Sequence, residues 1–179
     1  MVNMKKRFLP LVVCGLCWIS ASHAANGVAI ETGRGDSTDM GRVALFHQWG
    51  RKWFTDGNWY VGGYWEVSLG RWNSTAAGGK EIWDLGITPV FRLQSKAATG
   101  FRPYVEAAVG LHLIDHTHVN NNRDMSTAFQ FGDHVGVGLL LGDKGQFDLG
   151  YRFQHLSNAD IKKPNNGINF QQIRLGYSF

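Results

Sequence analysis

The run Phe147-Asp148-Leu149-Gly150-Tyr151-Arg152-Phe153-Gln154-His155-Leu156-Ser157 alternates large apolar residues with polar or small ones through most of its length. Such alternation marks a half-buried strand, because successive strand side chains leave on opposite faces. Phe147, Leu149, Tyr151, Phe153, His155 and Ser157 share one face; Asp148, Gly150, Arg152 and Gln154 share the other. A base and a hydroxyl therefore sit two residues apart on the apolar side. A soluble barrel would turn that side inward, whereas a membrane barrel turns it toward lipid.

The same period recurs along the chain, broken by Gly, Asn, Asp and Ser, and predicts about eight strands. They cover 27–35, 41–53, 58–71, 80–93, 101–114, 127–141, 146–157 and 169–179. Trp59, Val61, Trp65, Val67 and Leu69 oppose Tyr60, Gly62, Tyr64, Glu66 and Ser68. Trp83, Leu85, Ile87, Phe91 and Leu93 oppose Asp84, Gly86, Thr88 and Arg92. Val105, Ala107, Val109, Leu111 and Leu113 oppose Arg102, Tyr104, Glu106, Gly110 and His112.

The polar sets decide the direction. Arg, Asp and Glu can pair inside a small plugged barrel, whereas lipid would leave them without partners. Glycines among them suit the crowded interior of a barrel of about eight strands. Tryptophans at 49, 53, 59 and 72 lie near predicted strand ends, the position of an interfacial aromatic girdle. Gly57-Asn58-Trp59 fits the short Gly-x-Trp pattern of secreted lipocalin barrels, but it falls in too late a strand. The reading is an all-β, antiparallel transmembrane β-barrel.

The ends agree with that reading. Lys5, Lys6 and Arg7, an apolar stretch from Phe8 to Ile19, and Ser22-His23-Ala24 predict a secretory signal over 1–24, with the barrel over 25–179. Cys14 and Cys17 both fall in this leader, so the mature chain has no thiol chemistry. Eighteen basic residues less the leader's three leave fifteen against fourteen acidic ones, which gives no case for a nucleic-acid partner. The terminal run Ile173-Arg174-Leu175-Gly176-Tyr177-Ser178-Phe179 alternates up to a final phenylalanine, like the strand by which outer-membrane barrels are recognised for assembly. An even strand count puts both termini on the periplasmic side. Connections around 54–57, 94–100 and 142–145 are then periplasmic, and those around 36–40, 72–79, 115–126 and 158–168 face outward. His155 and Ser157 thus fall near the outer leaflet, on the lipid-facing wall.

Alternate residues of a strand lie about 6.5–7 Å apart at Cα, a gap that His and Ser side chains can bridge. The imidazole can then take the hydroxyl proton during attack on an acyl carbon, as in serine hydrolases. A polar pair on a lipid-facing wall is costly unless it has a use. The stretch His155-Leu156-Ser157-Asn158-Ala159-Asp160-Ile161-Lys162-Lys163-Pro164-Asn165-Asn166-Gly167-Ile168 resembles the active-site segment of the lipid A 3-O-deacylases, the PagL family. The His-x-Ser-Asn-Ala start and the Lys-x-Pro-Asn-x-Gly-Ile continuation carry the resemblance. It implies an outer-membrane esterase that removes the 3-O-linked acyl chain of lipid A (lipopolysaccharide) without a cofactor or metal.

The resemblance also assigns roles. Ser157 is the nucleophile and His155 the general base. The family's third residue is a glutamate directly after the Gly-Ile pair; this chain has Asn169 there, in phase with the outward set. An asparagine carbonyl can accept a hydrogen bond from the imidazole and fix its tautomer, without supplying a full negative charge. The family pattern points to Asn158 and the backbone N–H of Asp160 as oxyanion donors. Lys162 and Lys163 are candidates for the phosphates of lipid A, or simply solvated loop charges. His112 and His134 fall on the inward face, and His116 and His118 in a polar loop, without a metal-ligand pattern. A homodimer stays open. Competing readings are a non-enzymatic barrel, either an adhesin or a surface-stabilising protein, and a palmitoyl-transferring outer-membrane enzyme; a pore would need a wider barrel.

Overall fold

The structure is a computed structural model and describes residues 25–97 and 100–179, so the leader expected over 1–24 lies outside it. The barrel strands are β1 (Gly27–Gly35), β2 (Thr38–Gln48), β3 (Trp59–Ser74), β4 (Glu81–Ser95), β5 (Phe101–Ile114), β8 (Phe129–Leu141), β9 (Phe147–Ser157) and β10 (Ile168–Ser178). Each pairs antiparallel with its neighbours in the closed order β1-β10-β9-β8-β5-β4-β3-β2. Closure leaves no strand edge unpaired, as a lipid environment demands of a spanning sheet. A short ribbon, β6 (His118–Asn120) with β7 (Arg123–Asp124), stands apart in the β5–β8 connection. The 115–126 stretch was expected as plain loop; strands this short carry no period to read.

Several strand ends shift from expectation, the end of β2 most. β2 stops at Gln48, not 53, although Trp49 and Trp53 still donate to the carbonyls of Gly63 and Val61 at 2.8 Å. The reason is a side chain off the pleat: the Trp49 ring lies where a Cβ on Gly63 would meet it at 2.3 Å. It packs there with Trp53, Trp65 and Phe91. β3 runs on to Ser74 rather than 71.

The apolar sets face outward, as expected. Val67, Leu69, Leu85, Ile87, Leu111, Val135, Phe153 and Leu175 are all exposed on the outer wall. The interior has two tiers. In one, Arg152 reaches Glu31 at 2.5 Å, Glu106 at 2.7 Å and Glu66 at 3.0 Å, while Arg174 lies 2.6 Å from both Glu31 and Glu66. Arg92 pairs with Glu106 and Asp148, and Arg42 with Glu31 and Asp84. Four guanidiniums thus meet five carboxylates, which offsets the desolvation of charges enclosed in the barrel. His112 sits on Asp84 at 2.8 Å, and His134 is buried beside Glu106, both inward as expected.

The second tier is an apolar plug of Met40, Trp72, Ile82, Ile114, Val119, Met125, Leu156, Ile168 and Phe170. Val119 and Met125, from the β6–β7 ribbon and its exit, stopper the barrel at the end away from the termini. Trp72 corrects the girdle expectation: it is 0% exposed and packs at a tilt against Phe170, ring centroids 5.3 Å apart. Its even number puts it on the inward parity of β3, which runs past the expected end at 71 and so includes it.

Candidate active site

The site forms where β9 and β10 leave the barrel at the plugged end. Their ladder sets Asn169 opposite His155, and the ladder of β8 with β9 sets Asp133 opposite His155 and Phe131 opposite Ser157. His155 and Ser157 are half-buried on the outward face of β9, while Gln154, Leu156 and Asn158 are buried behind them. The alternation read from sequence is therefore what aims both side chains away from the barrel interior.

Asn169 Oδ1 lies 2.8 Å from His155 Nδ1. The amide nitrogen of Asn169 turns the other way and donates to Asp36 Oδ2 at 3.3 Å. A carboxylate oxygen accepts and does not donate, so the amide presents its oxygen to the ring, and Nδ1 carries the proton. Nε2 is then the free base, the tautomer that general-base chemistry on the Ser157 side requires. Gly167 leaves room for that edge of the ring: a Cβ there would lie 2.8 Å from His155 Cε1 and 3.3 Å from Nε2. Its φ of +59° also suits glycine.

Below His155, an apolar groove of about 590 Å³ runs along the outer wall between Phe91, Ala107, Val109, Val135 and Phe153. The small Ala107 side chain on β5 leaves the depression that the larger neighbours border. Asp133 and His155 also line it. A hydrophobic slot of this size ending at His155 suits an alkyl chain with a reactive carbonyl at its end.

A model of the family described as "Lipid A 3-O-deacylase (PagL)" matches residues 40–178. The chain belongs to the PagL family. It is 32% identical over 169 residues to the lipid A deacylase PagL of Bordetella bronchiseptica, covering 89% of this chain and 86% of that one. It is 31% identical to the lipid A deacylase PagL of Pseudomonas aeruginosa, over 91% and 93% of the two chains. A crystal structure of the outer membrane enzyme PagL superposes with a TM-score of 0.76 at 27% identity, covering 86% of this chain and 99% of that one. The eight-stranded barrel is thus an outer-membrane barrel.

Within the PagL frame, the loop after Ser157 departs from expectation at Asn158. Its side chain is buried, and its amide nitrogen donates to the carbonyls of Met125 at 2.9 Å and Lys162 at 2.8 Å. Its backbone N–H is taken by Asn165 Oδ1 at 3.1 Å. As the next residue after outward Ser157, Asn158 falls on inward parity and pins the loop instead of offering a donor outside. Asp160 sits in a turn closed by Ile161 N–H to Asn158 O at 3.1 Å, with φ of +52° at Ala159 and +61° at Asp160. Among the described residues the Asp160 N–H has no acceptor. Asn165 Nδ2 donates to Asp160 Oδ1 at 3.2 Å, so this side chain braces the turn at both ends. Lys162 and Lys163 are exposed at the loop rim, Lys163 pairing loosely with Asp160 at 3.6 Å.

Sequence reading missed Asp36, Arg123, Asn165 and Asp133. Asp133 was legible, since it is the one charged residue in the outward phase of β8. Asp36 and Arg123 had no such signal, being 133 and 46 residues from Asn169.

Proposed function

We propose that this PagL-family enzyme hydrolyses the 3-O-linked acyl ester of lipid A, with Ser157 as nucleophile and His155 as general base, on the lipid-facing wall near the outer leaflet. The observation that carries the reading is the 2.8 Å contact of His155 Nδ1 with Asn169 Oδ1, which leaves Nε2 free on the wall that bears Ser157.

Ser157 Oγ bonds to the ester carbonyl carbon as its proton passes to His155 Nε2. The carbonyl oxygen becomes an oxyanion, for which the Asp160 N–H is an unused donor of the loop. Collapse breaks the bond to the sugar oxygen, which takes the proton from His155. A water then gives a proton to Nε2 as it attacks the acyl-serine; collapse breaks the acyl carbon–Oγ bond, Ser157 Oγ takes the proton back from His155, and a free fatty acid leaves. General-base assistance of this kind contributes about 10²–10⁴-fold. The acyl chain lies in the groove below His155, and the sugar phosphates lie at the rim beside Lys162 and Lys163. Every group in this scheme comes from one chain, so the chemistry requires no second copy.

Mass spectra of lipid A from cells expressing the chain or Ser157→Ala test the reading. Loss of one 3-linked hydroxyacyl chain only with the unaltered chain supports it. Identical spectra, with both proteins folded in the outer membrane, would overturn it.

A further inference from the structure

We propose that Asp36 is a positioning residue of this site, holding the Asn169 amide in the orientation that gives His155 its working tautomer. The proposal deepens the serine-hydrolase reading and rests on it.

The family's glutamate needs no such help, because either carboxylate oxygen accepts from an imidazole N–H. An amide has two unlike ends. With its oxygen toward His155, the Nδ1–H tautomer is fixed and Nε2 is a base; turned over, the amide NH₂ would draw the lone pair onto Nδ1 and leave Nε2 protonated. The substitution of asparagine for glutamate therefore creates an orientation problem that something else must solve. In this structure Asp36 Oδ2 accepts from Asn169 Nδ2 at 3.3 Å and from the Asn169 backbone N–H at 2.8 Å. An acceptor-only group at that place rejects the flipped amide.

The local backbone is built for this contact. Asp36 and Ser37 form the two-residue loop between β1 and β2 with φ of +49° and +56°. Such hairpin loops favour asparagine, aspartate or glycine at these angles, so Asp36 suits its place at the tip while Ser37 is the strained residue of the pair. Gly35 lets the hairpin tip press against β10: a Cβ there would lie 1.7 Å from the Asn169 carbonyl oxygen. Arg123 completes the arrangement from the β6–β7 ribbon. Its Nη2 lies 3.3 Å from Asp36 Oδ1, and its Nη1 donates to the carbonyls of Gly167 and Asn166. One guanidinium thus ties the Asp36 turn to the glycine that borders the imidazole. Both charges are mostly enclosed, the Asp36 side chain being 27% exposed and Arg123 19%.

The test is turnover of lipid A in mixed detergent micelles by the unaltered chain, Asp36→Ala, Asn169→Glu, the Asn169→Glu/Asp36→Ala double variant and Ser157→Ala. Asp36→Ala should lower kcat about tenfold with KM little changed. In the Asn169→Glu background the same change should cost nothing or raise kcat, since a carboxylate at 169 has no orientation to fix and is repelled by Asp36. An equal loss in both backgrounds would mean that Asp36 only supports the hairpin, and would overturn the proposal. So would full activity of Asp36→Ala. An active Ser157→Ala would instead remove the underlying serine reading, whatever the Asp36 variants do.

Discussion

The barrel carries two clusters of hydrogen-bonded polar side chains, one inside and one on its outer wall, and they are wired differently. Inside, Arg152 meets three carboxylates and Glu31 meets three guanidiniums, so each charge has several partners. Outside, His155, Asn169, Asp36 and Arg123 form a single file, each side chain linked to the next. The enclosed cluster is redundant and offsets the desolvation of its own charges. The side-chain links of the outer file follow one another without a branch, which fits the proposed role of holding one imidazole in one state next to lipid. We assign stability to the first and propose chemistry for the second.

That division can be broken from either side. The largest expected effect is in the outer cluster: Ser157→Ala should lower deacylation by at least about 10³-fold while leaving the barrel folded. Folding is checked by heat-dependent mobility on gels. Arg152→Ala should do the reverse. Breaking a buried pair by removing one partner costs about 3–5 kcal/mol, and this arginine serves Glu31, Glu66 and Glu106 together. Urea unfolding from detergent would register that cost, and turnover per folded molecule should hold. A variant that stayed as stable but lost turnover would collapse the distinction between the clusters.

Smaller effects sharpen it. Gly167→Ala puts a methyl against the imidazole at a positive φ, and should lower kcat about tenfold, the effect of roughly 1.4 kcal/mol. Asn169→Glu, which restores the family residue beside Asp36, should stay within a few-fold of the unaltered chain; a large loss would contradict the placement of residue 169. Replacing Lys162 and Lys163 with alanine should change least. A modest rise in KM that fades at high salt would fit phosphate contacts by exposed charges.

Parity carried most of the fold into the sequence. The outward apolar sets of β3, β4, β5 and β9, the inward histidines, and the facing of His155, Ser157 and Asn169 all follow from counting by two. Parity turns Trp72 inward as well, but an expected end of the third strand at 71 leaves it to the girdle. For Asn158 the family pattern and the phase point different ways: directly after an outward serine, its side chain turns inward and holds the loop. Asp36 and Arg123 were out of reach for a different reason. Their contact with the site depends on barrel closure, which pairs β1 with β10, and on a ribbon that folds back over the mouth. Neither leaves a periodic trace in the sequence.

The most direct measurement is covalent capture of the nucleophile. The purified barrel in detergent would be incubated with a long-chain alkyl phosphonate p-nitrophenyl ester, and the modified residue located by peptide mass spectrometry. One phosphonyl group on Ser157, absent from Ser157→Ala and strongly slowed in His155→Ala, is the expected result. A folded, lipid A-hydrolysing barrel that is labelled elsewhere, or that labels equally well without His155, would contradict the account.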